Sequence, residues 1–209
     1  ANVTRKSRRR GEQAISYAGR QRDINGHEVG ESLQNIFKPL FDPNKEVETQ
    51  NLHDFYMYLM HFQNMDTPGV IFGGETVSAE DSASAIAELN AKYPEFYSLA
   101  EKIWKFNDNN LQLAVDSGLV SPEHAANMRA KNPHYVPTRR DISGDLSKTD
   151  YGTGRGMFKK RLGSYKDIKP IYEQMVTQTL WLHREADVNR FLNILYESAE
   201  ANPDTAGEM

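Results

Sequence analysis

Residues 167–201 read DIKPIYEQMVTQTLWLHREADVNRFLNILYESAEA, the longest stretch of the chain with a helical period. Ile171, Met175, Leu182 and Leu192 follow one stripe, and Val176, Leu180, Phe191 and Leu195 follow an adjacent one. Apolar residues recurring three and four apart share one side of a 3.6-residue helix and need something to cover them. Two neighbouring stripes therefore predict two packing partners. About 30 residues at 1.5 Å each make a rod of roughly 45 Å, long enough to be the spine of a small protein.

Upstream, the same period returns in shorter pieces. Leu52, Phe55, Tyr56, Leu59, Met60 and Phe62 mark a broad amphipathic helix between Glu46 and Met65. Leu33, Ile36, Phe37 and Leu40 give a short helical stretch over 31–41, limited by Pro39. Ser78, with Glu80 and Asp81 behind it, predicts a capped helix start whose Ile86 and Leu89 face inward. Pro94 suits the first position of the next helix, whose face reads Phe96, Leu99, Ile103, Phe106 and Leu113 before Gly118 stops it. Ser121, Pro122 and Glu123 then open a helix running to about Lys131. Residues 19–30 read as loop, and Val70-Ile71-Phe72 as a short strand or an apolar plug. The sequence carries no paired-strand pattern and no internal repeat of about 20–50 residues. The expected class is all-α: an irregular helical bundle around a long C-terminal helix.

The stretch 132–141, NPHYVPTRRD, interrupts this helical text. Pro133 and Pro137 fix their own φ and push Asn132 and Val136 toward extended backbone. Two readings stay open. In one, the segment is a proline-rich strap whose Tyr135 and Val136 bury against the spine, with Arg139 turned to a buried acid or a helix C-terminus. In the other, Arg139 and Arg140 grip a phosphate or carboxylate, which a planar guanidinium does well. Residues 132–166 as a whole form a Gly-rich loop with glycines at 144, 152, 154, 156 and 163. Arg155, Lys159, Lys160 and Arg161 make it basic, and Tyr135, Tyr151, Phe158 and Tyr165 are interleaved. Cations beside stackable rings suit single-stranded nucleic acid, DNA or RNA, although internal salt bridges use the same residues.

Composition narrows the class. A chain of 209 residues buries a core without covalent staples. With no cysteine there is no disulfide, no thiolate metal site and no thiol nucleophile, which points to a reducing cytosol. The apolar runs are far shorter than the roughly 20 residues that cross a bilayer, so no membrane partner is expected. The net charge of −4 hides an asymmetry. Residues 1–10 carry five basic side chains and no acid, leaving 20 basic against 29 acidic groups in the remainder. Such an arm is a solvated linker or a nucleic-acid contact.

Other motifs carry less. His53 and His61 stand eight apart, roughly 12 Å along a helix axis, too far to share a metal ion. Each reads better as a buried ring bonded to a neighbour, Asp54 being the nearest acid in sequence. His183 and Asp187 have i,i+4 spacing, a common helix-surface pair. YGTGRGMFKKR (151–161) lacks the Gly-Lys-Ser/Thr ending of a phosphate loop and the strand that precedes one. No nucleophile elbow appears, nor a serine with a base near it in sequence. No catalytic residue, metal ligand or cofactor is assigned.

A resemblance adds a setting. Residues 106–140, FNDNNLQLAVDSGLVSPEHAANMRAKNPHYVPTRR, resemble the central segment of the large-polyvalent-protein-associated domains, found in long mosaic polyproteins of phages and conjugative elements. The carrying residues are Ser117-Gly118-Leu119, Ser121, Glu123 and Ala125, then Pro133, Tyr135, Val136, Pro137 and Arg139. Tyr58 and His61 resemble a helical tyrosine–histidine pair of that family. Lys160, Gly163, Ser164, Ile168 and Pro170 resemble its basic joint before a last long helix. The likeness spans roughly residues 50–196 and departs at Met128, where an aromatic residue is expected. It implies a mostly helical module that accompanies helicase, methylase, nuclease, protease or head-morphogenesis domains. It supplies no active site.

The expected organisation is a basic arm or linker over 1–27, a helical domain over 28–202 and a tail over 203–209, cut from a longer parent. The expected function is a non-catalytic accessory module acting by contact with other domains of a parent polyprotein or with DNA or RNA. Its candidate binding residues are His61, His134, Tyr135, Arg139, Arg140, Arg155, Lys159, Lys160 and Arg161. The alternatives are an enzyme on nucleic acid or a phosphate ester, using His134, Arg139, Arg140 and Lys160, and a plain DNA-binding helical domain.

Overall fold

A computed structural model of the chain describes residues 19–41, 50–68, 71–72, 75–138 and 170–201. Over these residues the fold is all-α, six helices of which the C-terminal one is the longest. They are α1 (Leu33–Phe37), α2 (Gln50–Asp66), α3 (Ala79–Lys92), α4 (Phe96–Asp116), α5 (Pro122–Lys131) and α6 (Ile171–Ala201). A 3-10 turn, Lys38–Leu40, extends α1 and takes in Pro39.

Local chemistry sets the boundaries. Ser78 caps α3 with a full capping box, its hydroxyl accepting from the Asp81 N–H while the Asp81 carboxylate accepts from the Ser78 N–H. Ser121 caps α5, with Pro122 at the first helical position. Pro94 does not open α4 as expected. The Phe96 N–H bonds the Tyr93 carbonyl in a turn, and the helix begins two residues after the proline. The other end of α4 stops at Gly118, whose φ is +75°. Leu119 N–H reaches Ala114 O and Gly118 N–H reaches Val115 O, both at 2.9 Å, the paired bonds of a Schellman motif.

Two small hairpins are present, the first in a stretch read as loop and the second containing the short strand that Ile71-Phe72 allowed, though neither pairing was foreseen. β1 (Gln21–Arg22) pairs antiparallel with β2 (Glu28–Val29), and β3 (Ile71–Phe72) with β4 (Glu75–Thr76). Each strand is two residues long, too short to leave a period-2 pattern in the sequence. Asp23 closes the first turn by accepting from the Asn25 and His27 N–H groups.

The main core gathers Leu33, Ile36 and Phe37 of α1, Leu52, Phe55, Tyr58 and Leu59 of α2, and Phe96, Ala100, Ile103 and Phe106 of α4, with Ile171 and Met175 of α6. Its centre is aromatic, Phe55 meeting Phe96 edge-on at 5.1 Å and Phe37 meeting Tyr172 at 5.2 Å. A smaller cluster of Leu113, Ala114, Leu182 and Ala186 lies further along α4 and α6, with Trp181 against it.

The spine is buried over its first half only. Ile171, Met175 and Leu182 are fully covered, as their stripe predicts. Leu192, placed on the same stripe, is 54% exposed, and Phe191 and Leu195 are exposed too. The reason is reach. α6 has 31 residues, about 46 Å, and by Asn189 and Asn193 it has already reached Ser117 and Gly118 at the end of α4.

Candidate functional site

The strap is the irregular segment on which the candidate residues meet. Asn132 ends α5, bonding Met128 O, and the chain then crosses α2, α4 and α6. The last two turns of α2 present Phe62, Gln63 and Asp66 to it. His134 donates its main-chain N–H to Asp66 Oδ2 at 2.9 Å and its ring Nδ1–H to Asp66 Oδ1 at 2.8 Å. A carboxylate only accepts, so the contact places the ring proton on Nδ1. The imidazole sits between Trp104 of α4, 4.4 Å away, and Phe62, 5.1 Å away. Asn107 donates to Tyr135 O at 2.7 Å and Gln63 to Val136 O at 3.0 Å. Gln178 of α6 reaches the Tyr135 hydroxyl at 3.4 Å. Val136 is fully buried, Pro137 is buried and Tyr135 is half-buried.

The strap expectation therefore holds for Val136 and in part for Tyr135. What grips the segment is polar. An extended strand outside any sheet leaves its carbonyls unpaired, and buried amide side chains of two helices satisfy them.

His61 lies one turn earlier on α2 and serves another junction. Its Nδ1 meets Ser82 Oγ of α3 at 3.2 Å. Asn64 donates to the same oxygen at 2.9 Å and to Val77 O and Ser78 O at the start of α3. Burial pushes the His61 pKa below its ordinary value, which favours the neutral ring. A serine beside a histidine has the look of a nucleophile and its base. Ser82, however, is wholly buried and already holds the Asn64 amide. Tyr58, also buried, donates to Asn90 Oδ1 at 2.6 Å on the same face of α3. The tyrosine–histidine pair of α2 thus fastens α3.

Three other expectations need correction. His53 is exposed rather than buried. Asp54 turns to α3 and the residue after it, accepting from Gln50, Lys92 and the Tyr93 hydroxyl. Burial pushes its carboxyl up, but those bonds outweigh it and hold the pKa below the usual carboxylate value. His183 is 2% exposed, so the His183–Asp187 spacing does not mark a helix-surface pair.

The structure brings His134 and Tyr135 together and places His61 elsewhere. Arg139, Arg140, Arg155, Lys159, Lys160 and Arg161 lie outside the described residues, as do most of the Gly-rich loop and the basic arm. Among the described residues no group of three or more His, Cys, Asp or Glu is arranged to hold a metal ion, and no helix is long and apolar enough to cross a membrane. An open recess of about 370 Å³ between the first hairpin and α1 is lined by Arg20, Glu28, Glu31 and Asn35. Its charges are internally matched, Arg20 to Glu28 and Glu31 to Lys102, both at 3.0 Å.

Sequence reasoning missed Gln63, Asn64, Asp66, Trp104 and Asn107. A signal existed for one of them, Asn107. Asn107 and Asn110 fall on the apolar face of α4, where an amide has to find a buried partner. Three buried polar atoms along the strap have no hydrogen-bond partner among the described residues: Gln63 Oε1, Gln178 Oε1 and Trp104 Nε1. Comparison with protein-family models, with curated proteins and with solved structures finds no match for this chain.

Proposed function

We propose that the chain is a non-catalytic accessory module that works by protein contact, with the strap as an internal brace rather than a reactive loop. The observation that carries this is the pair of hydrogen bonds from His134 to Asp66, which ties the main chain and ring Nδ1 of the strap's one imidazole to the same helix end. A general base needs a free nitrogen within reach of substrate and a nucleophile or water to activate. The bond to Asp66 uses His134 Nδ1 and leaves Nε2 as the ring's acceptor, but Phe62 and Trp104 flank the ring, and His61 Nδ1 meets Ser82. The ordered motifs from Tyr58 to Pro170 support placing the module in a large phage or conjugative-element polyprotein, beside other domains of that parent. Contact with DNA or RNA would fall to the basic arm and loop.

A second reading has one observation in its favour. Gln63 Oε1, Gln178 Oε1 and Trp104 Nε1 are buried along the strap without hydrogen-bond partners among the described residues, and such groups attract a polar ligand. Imidazole ¹⁵N spectra separate the two. The brace reading predicts a His134 ring held as the Nδ1–H form and unmoved by inorganic phosphate, mononucleotides or short oligonucleotides. A saturable shift of the His134 signals with any of these would replace the brace by a ligand site.

A further inference from the structure

Among the described residues, the second half of α6 meets no second packing partner for the adjacent stripe its sequence carries. Val188, Phe191, Leu192, Ile194, Leu195 and Tyr196 are 36–65% exposed and adjoin one another at three- and four-residue spacing. The helix is held to its own chain by the other side. Asn189 donates to Ser117 O at 2.7 Å, Arg190 donates to Ile24 O at 2.8 Å, and Asn193 lies beside Gly118. Val188, Leu192, Leu195 and Ala199 follow a four-three-four spacing, the a/d line of a helix-on-helix seam.

We propose that this seam pairs with the same seam of a second copy of the chain, the two α6 ends running antiparallel. This deepens the reading of the chain as an interaction module, on which it rests, by naming the partner. Three features favour self-pairing. The line from Val188 to Ala199 carries no ionised side chain, and Arg190 and Glu197 fall on the opposite side of the helix, so two copies bring no like charges face to face. An antiparallel register centred between Asn193 and Ile194 sets Leu192 against Leu195 of the other copy and Val188 against Ala199, apolar on apolar throughout. A parallel register instead extends the seam to Glu185 against Glu185. Antiparallel helices also oppose their dipoles.

The exposed side chains offer on the order of 500 Å² per chain, at the low end for a specific interface, so the pairing is weak and reversible.

Sedimentation equilibrium of the full 209-residue chain from about 1 to 500 µM tests this. Expected is a reversible monomer–dimer equilibrium that Leu192→Glu with Leu195→Glu weakens at least tenfold. These exposed sites should leave the circular dichroism and melting temperature unchanged, and Tyr97→Glu, exposed on another face, should leave dimerisation intact. The chain has no cysteine, so the register is readable by disulfide trapping. Val188→Cys with Ala199→Cys in one chain should form a covalent dimer, and Val188→Cys alone should not. A monomer up to 500 µM, a dimer indifferent to the two glutamates, or efficient trapping by Val188→Cys alone would each overturn the proposal. None of these results touches the His134 titration, so the two readings fail separately.

Discussion

Asp66 holds His134 twice, through the main-chain N–H at 2.9 Å and through ring Nδ1 at 2.8 Å, across 68 residues of sequence. One carboxylate at the end of α2 thereby sets both the path of the strap and the orientation of its imidazole. Asp66→Ala leaves two donors without an acceptor. Hydrogen bonds to a charged group are worth about 1.5–3 kcal/mol, so the melting temperature should fall by about 5–10 °C. Asp66→Asn, which keeps one acceptor, should lose roughly half as much. Differential scanning calorimetry checks both, and an Asp66→Ala melt within a degree of wild type would remove the clamp from the account.

Val136 and Tyr135 should separate in their effects. Val136 is fully buried among α2, α4 and α6, whereas Tyr135 is half-buried and meets Gln178 only at 3.4 Å. Truncating Val136 to Ala should cost about 1–2 kcal/mol, near its whole burial value. Tyr135→Ala should cost less than the 3 kcal/mol or more of a fully buried ring. Chemical denaturation curves for both variants measure this directly. A larger cost at Tyr135 than about 3 kcal/mol would mean the ring is covered more completely than the structure has it.

The pH dependence should carry a His61 signature. Burial lowers the folded pKa below the ordinary 6.5, so the unfolded chain takes up the proton first on acidification. The contribution is fully present above pH 6.5 and is lost as pH falls toward the folded value. His61→Gln removes the titration and keeps an acceptor for Ser82. The stability gap between wild type and His61→Gln should therefore narrow from pH 7.5 to 5.5. A widening gap would mean that the ring gains a proton on folding, contrary to its burial.

Gly118 tests the junction of α4 with α6. Its φ of +75° suits glycine, and an added Cβ would stand 3.2 Å from the Asn189 and Asn193 amides. Gly118→Ala should cost about 1–2 kcal/mol, a fall of roughly 3–6 °C in melting temperature. The amide ends give way more easily than the backbone, so strain should dominate. Gly118→Asn, which tolerates the left-handed region better, should cost less than Gly118→Ala if strain decides and more if crowding does.

Periodicity made the helices legible. Stripes on α2, α4 and the first half of α6 named Phe55, Leu59, Ile103, Phe106, Met175 and Leu182, and caps at Ser78 and Ser121 marked helix starts, because burial and capping are written within one or two turns. Polar junctions were not legible. Asp66 to His134, Asn107 to Tyr135 and His61 to Ser82 join residues 68, 28 and 21 apart, and nothing local announces such partners. The reversal at Leu192, Phe191 and Leu195 has the same origin. A stripe says that a face must be covered, not that its own chain covers it. The arginines and lysines from 139 to 161 fall outside the described residues.

Amide hydrogen exchange along the strap tests the central claim most directly. If Asp66, Asn107 and Gln63 fasten the strap as part of the folded body, the His134 and Tyr135 amides, bonded to Asp66 and to Asn132 O, should exchange only on global unfolding, as slowly as the buried amides of α2 and α4. Fast exchange of those two amides while both helices stay protected would show a segment that opens by itself, as the lid of a ligand site does, and would contradict the account.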